Sequence, residues 1–149
     1  MKKLLLLFTA FLFISCSSEE SPSNKIVGTW SFHSIIDMTS TGDKEENLAN
    51  DCAAKSTITF HGNGKLVESD YYYSYNSMEC IFNEDTFNRE IKWEEIEEGK
   101  YRIFSERFGG TVYEMRFPDK NTLWMIPPRE AYERDGVTIE YTAYVYKRI

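Results

Sequence analysis

Ser56-Thr57-Ile58-Thr59-Phe60-His61-Gly62-Asn63-Gly64-Lys65-Leu66-Val67 decides the fold class of this chain of 149 residues. Ile58 and Phe60 alternate with Thr57 and Thr59, the period of two expected of a strand with one buried face. His61-Gly62-Asn63-Gly64 then supplies the Asn and Gly that tolerate the positive φ of a tight reversal. The spacing predicts a hairpin, with strands over 56–61 and 65–75. Working outward, further strands are predicted over 29–38, 86–96, 100–105, 111–117, 122–126 and 138–148. Glu98-Gly99, Gly109-Gly110, Pro118-Asp119-Lys120-Asn121 and Asp135-Gly136 mark reversals between them. Only 39–54 escapes the pattern; it is long for a hairpin loop and is expected to carry a short helical turn or to be filler pinned at Cys52.

Eight consecutive, hairpin-linked strands predict an all-β fold, an eight-stranded antiparallel up-and-down β-barrel, because closure removes the exposed edges of an open sheet. Eight strands enclose an interior that side chains fill, or that holds one small ligand. Charged residues at 28% and aromatics at 15% suit a folded domain. The formal charge of −7 becomes −9 once Lys2 and Lys3 leave with an export leader, which argues against nucleic acid as a partner.

That leader is read over 1–15: Met1-Lys2-Lys3 is basic, and 4–14 is an apolar run too short to span a bilayer. It ends in Phe13-Ile14-Ser15-Cys16, which resembles the lipobox of bacterial lipoproteins and implies acylation of Cys16; the alternative is an ordinary leader with a coincidental cysteine. Residues 16–24 are small and polar and read as a flexible tether, leaving 25–149 for the barrel. Ser17 in place of the Asp that retains such lipoproteins at the inner membrane implies the outer membrane of a Gram-negative cell, at the periplasmic face or the surface; Glu19 and Glu20 resemble a surface-export tag. With Cys16 acylated, Cys52 and Cys80 are an even pair in an oxidising compartment and are expected to form a disulfide, contributing roughly 3.6 kcal/mol by chain entropy.

Ile26-Val27-Gly28-Thr29-Trp30 resembles the Gly-x-Trp start of lipocalins. The run from Ser56 to Phe60 with Gly64 and Lys65, and the ending Tyr144-Val145-Tyr146-Lys147-Arg148-Ile149, are similar to bacterial lipocalin-like lipoproteins. The resemblance implies a barrel of a kind that often binds small apolar molecules, with no catalytic residues; no cofactor is expected. It also implies that Arg148 covers Trp30 and closes the barrel floor.

Period two places Trp30, Phe32 and Ile36 on one face, Ile58 and Phe60 on another, then Phe87, Ile91 and Trp93, Tyr101 and Ile103, Tyr113, Met115 and Phe117, and Leu123 and Met125. Phe32, Ile58, Phe60, Arg89, Ile91, Trp93, Tyr101, Ile103, Tyr113 and Met115 are the expected ligand-lining residues. Arg89 falls on the Phe87/Ile91/Trp93 face, where it would orient an anion, pair with Glu68, or turn outward at a bulge. Glu68 falls with Leu66 and Tyr72, but Val67 on the opposite face leaves that strand's orientation open. The last strand is apolar on both faces and cannot be oriented.

No catalytic motif, phosphate loop or metal-ligand spacing is present, and no enzyme is expected. His33 and His61 lack recognisable partners, and Glu94-Glu95-Ile96-Glu97-Glu98 is expected to be a solvated hairpin end or a weak calcium ligand. Two alternatives to a ligand carrier stay open. One is a filled barrel meeting an envelope protein or glycan through its loops or the Tyr71-Tyr72-Tyr73/Tyr75 surface; the other is a barrel-type protease inhibitor.

Overall fold

The computed structural model describes residues 25–149 apart from 88 and 108, and says nothing of the Phe87 side chain. The leader, Cys16 and the tether therefore lie outside the described residues, as does the facing expected of Phe87. In chain order the strands are β1 (Gly28–Thr39), β2 (Lys44–Leu48), β3 (Thr57–Phe60), β4 (Lys65–Ser69), β5 (Tyr71–Ser74) and β6 (Glu79–Phe82). They continue as β7 (Ile91–Glu97), β8 (Lys100–Ser105), β9 (Gly109–Asp119), β10 (Thr122–Ile126), β11 (Tyr132–Arg134) and β12 (Val137–Arg148). A single helical turn, α1 (Glu84–Phe87), precedes β7.

Strands β1, β3, β4, β7, β8, β9, β10 and β12 each pair antiparallel with the next, and β12 returns to pair with β1. The result is a closed eight-stranded antiparallel β-barrel, as the spacing of strands and turns predicts. The remaining strands are additions at one end. β2 arises within the expected 39–54 loop and pairs with the upper half of β1, where β3 has already left it. A 3₁₀ turn, Ala53–Lys55, follows directly after Cys52, which is disulfide-bonded to Cys80.

Two expected strands are shorter than the sequence suggests, each for a local reason. The run 65–75 breaks at Asp70, because the Ser56 hydroxyl accepts the Tyr71 backbone N–H at 2.9 Å and turns the chain out of the ladder. Tyr71–Ser74 pairs instead with β6 in a separate two-stranded sheet, and the disulfide ties that hairpin back to the 3₁₀ turn. The run 86–96 becomes a strand only at Ile91. Before it, the Asn83 side-chain oxygen accepts the Thr86 N–H at 3.4 Å, and Glu84 and Asp85 occupy the first turn of α1, where carboxylates favour helix. Arg89 is thus not on a barrel strand. β4 and β7 share only the pairs Lys65–Lys92 and Leu66–Ile91, so on that side the upper part of β4 lies beside α1, while its other edge stays paired with β3.

The lower half of the barrel is solid. Trp30, Phe60, Leu66, Tyr101 and Leu123 are essentially inaccessible, packed with Ile58, Ile91, Trp93, Met115 and Met125. Phe60 meets Trp93 edge-on at 5.7 Å between centroids, and Trp93 meets Tyr101 at 6.0 Å. The indole N–H groups are satisfied by backbone: Trp30 donates to the Ile26 carbonyl at 2.8 Å and Trp93 to that of His61 at 3.0 Å.

Ile36 does not share the face of Trp30 and Phe32. Phe32 pairs with Tyr146 and Ser34 with Val145, so His33 is an extra residue in β1. That bulge reverses the facing of everything beyond it. Ile36 consequently joins Ile126, Ala143 and Val145, with Trp124 and Tyr141 against them, in a second apolar cluster on the outer face of the wall.

Candidate ligand site at the barrel mouth

Above the packed floor the barrel opens into a cavity of about 280 Å³. Its walls come from four elements. β1 contributes Phe32; β3 and the residue before it contribute Ile58, Thr57 and Ser56; the end of β4 contributes Glu68 and Ser69; and β12 contributes Tyr144 and Tyr146. Asp70, Tyr71, Ala53 and Thr86 complete the rim. The Phe32 and Tyr146 rings meet edge-on at 5.5 Å and form one wall.

Glu68 faces inward because Leu66, two residues earlier, is fully buried in the core, and because it pairs with inward-facing Ile58. Tyr72, its expected same-face neighbour, lies in the separate β5–β6 sheet and is exposed. Burial holds the Glu68 carboxyl above its ordinary value; the Arg89 charge pulls it down and the Asp70 charge adds to the rise. No hydrogen bond or ion pair within 4 Å joins Glu68 to another described residue, while every fully inaccessible side-chain polar atom described has a partner. The carboxylate is therefore in contact with the cavity rather than sealed in the wall. Tyr146 and Tyr113 are pushed up as well, first by burial and then by the Glu68 charge, so both remain neutral phenols at physiological pH. Tyr113 and Tyr146 thus share the field of one carboxylate.

Of the ligand-lining residues expected from sequence, Phe32 and Ile58 line this cavity. Phe60, Ile91, Trp93, Tyr101 and Met115 belong to the packed floor, and Ile103 and Tyr113 lie against it. Arg89 is exposed and lines a different, charged groove of about 660 Å³ with Asp85, Glu90, Lys92, Ser105, Glu106 and Arg107. The expectation that it shares the inner face of Ile91 and Trp93 fails because β7 starts two residues after it. Period two placed Tyr144 and Tyr146 on a strand apolar on both faces; only their register opposite Ile35 and Phe32 orients them inward.

At the opposite end the floor is closed by Arg148. Its guanidinium carbon stands 4.1 Å from the Trp30 ring centroid, and its nitrogens donate to the carbonyls of Val27, Lys25 and Lys120. Elsewhere, Glu94 pairs with Arg102 at 2.5 Å and Glu97 with Lys100, so two members of the acidic hairpin end are engaged by cations. Among the described residues no group of three or more His, Cys, Asp or Glu is placed to hold a metal.

Fold and site together define a closed β-barrel with a filled floor and a small, aromatic, carboxylate-bearing mouth. No protein-family model matches the chain, and no curated protein matches it significantly.

Proposed function

We propose that this chain is a lipid-anchored, lipocalin-like module of the bacterial cell envelope that binds a small, largely apolar molecule in the mouth of its barrel. The observation that carries this reading is the mouth cavity of about 280 Å³, walled by Phe32, Ile58, Tyr144 and Tyr146 with a few polar groups converging on it. That volume lies at the small end of ligand pockets and suits a compact molecule rather than a long chain. The envelope address rests on Leu4 to Cys16 and the polar residues after it, and the Cys52–Cys80 disulfide fits an oxidising compartment.

A second reading, an envelope interaction module, is supported by the β5–β6 hairpin, where Tyr72, Tyr73, Tyr75 and Met78 are exposed together. Native mass spectrometry of the exported, disulfide-bonded protein separates the two. A stoichiometric extra mass released on denaturation supports the carrier. A bare mass that persists after incubation with small apolar compounds turns the search to protein partners at the tyrosine hairpin.

A further inference from the structure

Resting on that carrier reading, we infer that the molecule taken into the mouth is a small organic cation, an amine or quaternary ammonium on a compact apolar body. The argument is one of sign. The cavity wall carries two carboxylates, Glu68 on its inner face and Asp70 at its rim, and no Lys, Arg or His among the described residues that line it. Asp70 is already engaged at the rim, where its carboxylate accepts the Ser56 hydroxyl at 3.3 Å. Glu68 has no such partner, so it is the carboxylate left for a ligand.

The cation whose charge acts on Glu68 is Arg89, which lies outside the lining of the mouth. Arg89 lines the neighbouring groove, where the acids Asp85, Glu90 and Glu106 alternate with the further cations Lys92 and Arg107. An anionic ligand in the mouth would meet Glu68 in a partly desolvated site, where like-charge repulsion is weakly screened. A neutral apolar ligand would desolvate the carboxylate and supply nothing in exchange. A cation compensates Glu68 directly, and the rest of the wall is suited to it. Phe32, Tyr71, Tyr144 and Tyr146 line the same space, and aromatic rings attract ammonium groups. The phenol oxygens of Tyr144 and Tyr146 are acceptors for an N–H donor. Ile58 and the Phe32 ring take the apolar body.

The test uses the full-length chain and three probes with one body and three head groups: 2-phenylethylamine, 2-phenylethanol and 3-phenylpropionate. Calorimetric titration at neutral pH is expected to give the amine about tenfold or more tighter binding than the alcohol, with the acid weakest. In Glu68→Gln the amine falls to the affinity of the alcohol, whereas Glu68→Asp, which keeps the charge, keeps the preference. Equal affinity of amine and alcohol in the unaltered protein, or a preference that survives Glu68→Gln, overturns the assignment of charge and leaves the carrier reading standing. Binding of the acid as tight as that of the amine does the same and returns Arg89 to consideration. If neither amine nor alcohol binds, the mouth is not a site for small molecules of this size, and both readings fall.

Discussion

The Arg148 guanidinium stands over Trp30 with its central carbon 4.1 Å from the ring centroid, and Gly28 makes that approach possible. Gly28 has φ +136°, and a Cβ there would meet an Arg148 nitrogen at 2.6 Å. The three residues form one device: glycine clears the space, arginine fills it, and the indole receives the charge while its N–H holds Ile26. Because the guanidinium also bonds three carbonyls, it ties both ends of the barrel chain together.

Arg148→Met is accordingly expected to destabilise the barrel by about 2–3 kcal/mol, the sum of a partly desolvated cation–π contact and lost charge-assisted bonds. Urea denaturation measures it. Gly28→Ala should cost a similar amount, and less in an Arg148→Ala background, since part of its cost is collision with the guanidinium. Strict additivity of the pair would show that the collision is not the cause.

Asp37 is almost fully buried, and its carboxylate accepts the Thr142 hydroxyl at 2.6 Å and Arg134 at 2.5 Å. The other arm of Arg134 reaches Glu45 of β2 at 2.5 Å, so one side chain of β11 joins β1 to β2. Arg134→Met is expected to lower the melting temperature by leaving the buried Asp37 charge with only the Thr142 hydroxyl, and Asp37→Asn added to it should recover most of that loss. A single variant as stable as the parent in thermal unfolding would mean that water compensates Asp37 as well as Arg134 does.

Removing the disulfide by Cys52→Ser with Cys80→Ser closes no loop across the 28 residues that separate them and is expected to cost about 3–4 kcal/mol. The loss should be local first. Amide exchange is expected to quicken in β5 and β6, which pair only with each other, while β1 and β12 keep their protection. Uniform acceleration across the barrel would place the disulfide in the global fold instead.

Glu68 should make the protein less stable as pH rises. Its folded-state carboxyl is held above its unfolded value, so the native state binds the proton more tightly than the unfolded chain. The burial cost of the charge is absent below the unfolded value and grows as pH rises through the raised one. Glu68→Gln is therefore expected to raise the melting temperature at neutral pH and to lose that advantage in acid, below the ordinary carboxylate range. A variant equally destabilised at both pH values would point to lost packing rather than a removed charge.

The reading of residues 56–67 as a hairpin carries to the structure almost unchanged, because the alternation at Ile58 and Phe60 and the reversal around Gly64 are local properties. The break at Asp70 is not local in the same sense. Nothing in the run Val67-Glu68-Ser69-Asp70-Tyr71 stops a strand until Ser56, fifteen residues before Tyr71, captures its N–H. The helical turn of α1 was legible in principle from Asn83-Glu84-Asp85-Thr86, a capping residue followed by two acids, and it is what removes Arg89 from the wall.

By itself the sequence determined the class of fold and the number and order of the barrel strands, since period two and turn chemistry act over a few neighbours. Only the tertiary structure decided what the barrel offers at its mouth. One extra residue at His33 turns Ile36 outward and leaves Phe32 opposite Tyr146, and the core position of Leu66 turns Glu68 in. Facing has a period of two, so a single bulge or an ambiguous strand inverts it, and the inversion is resolved only when β12 comes back across the barrel to pair with β1.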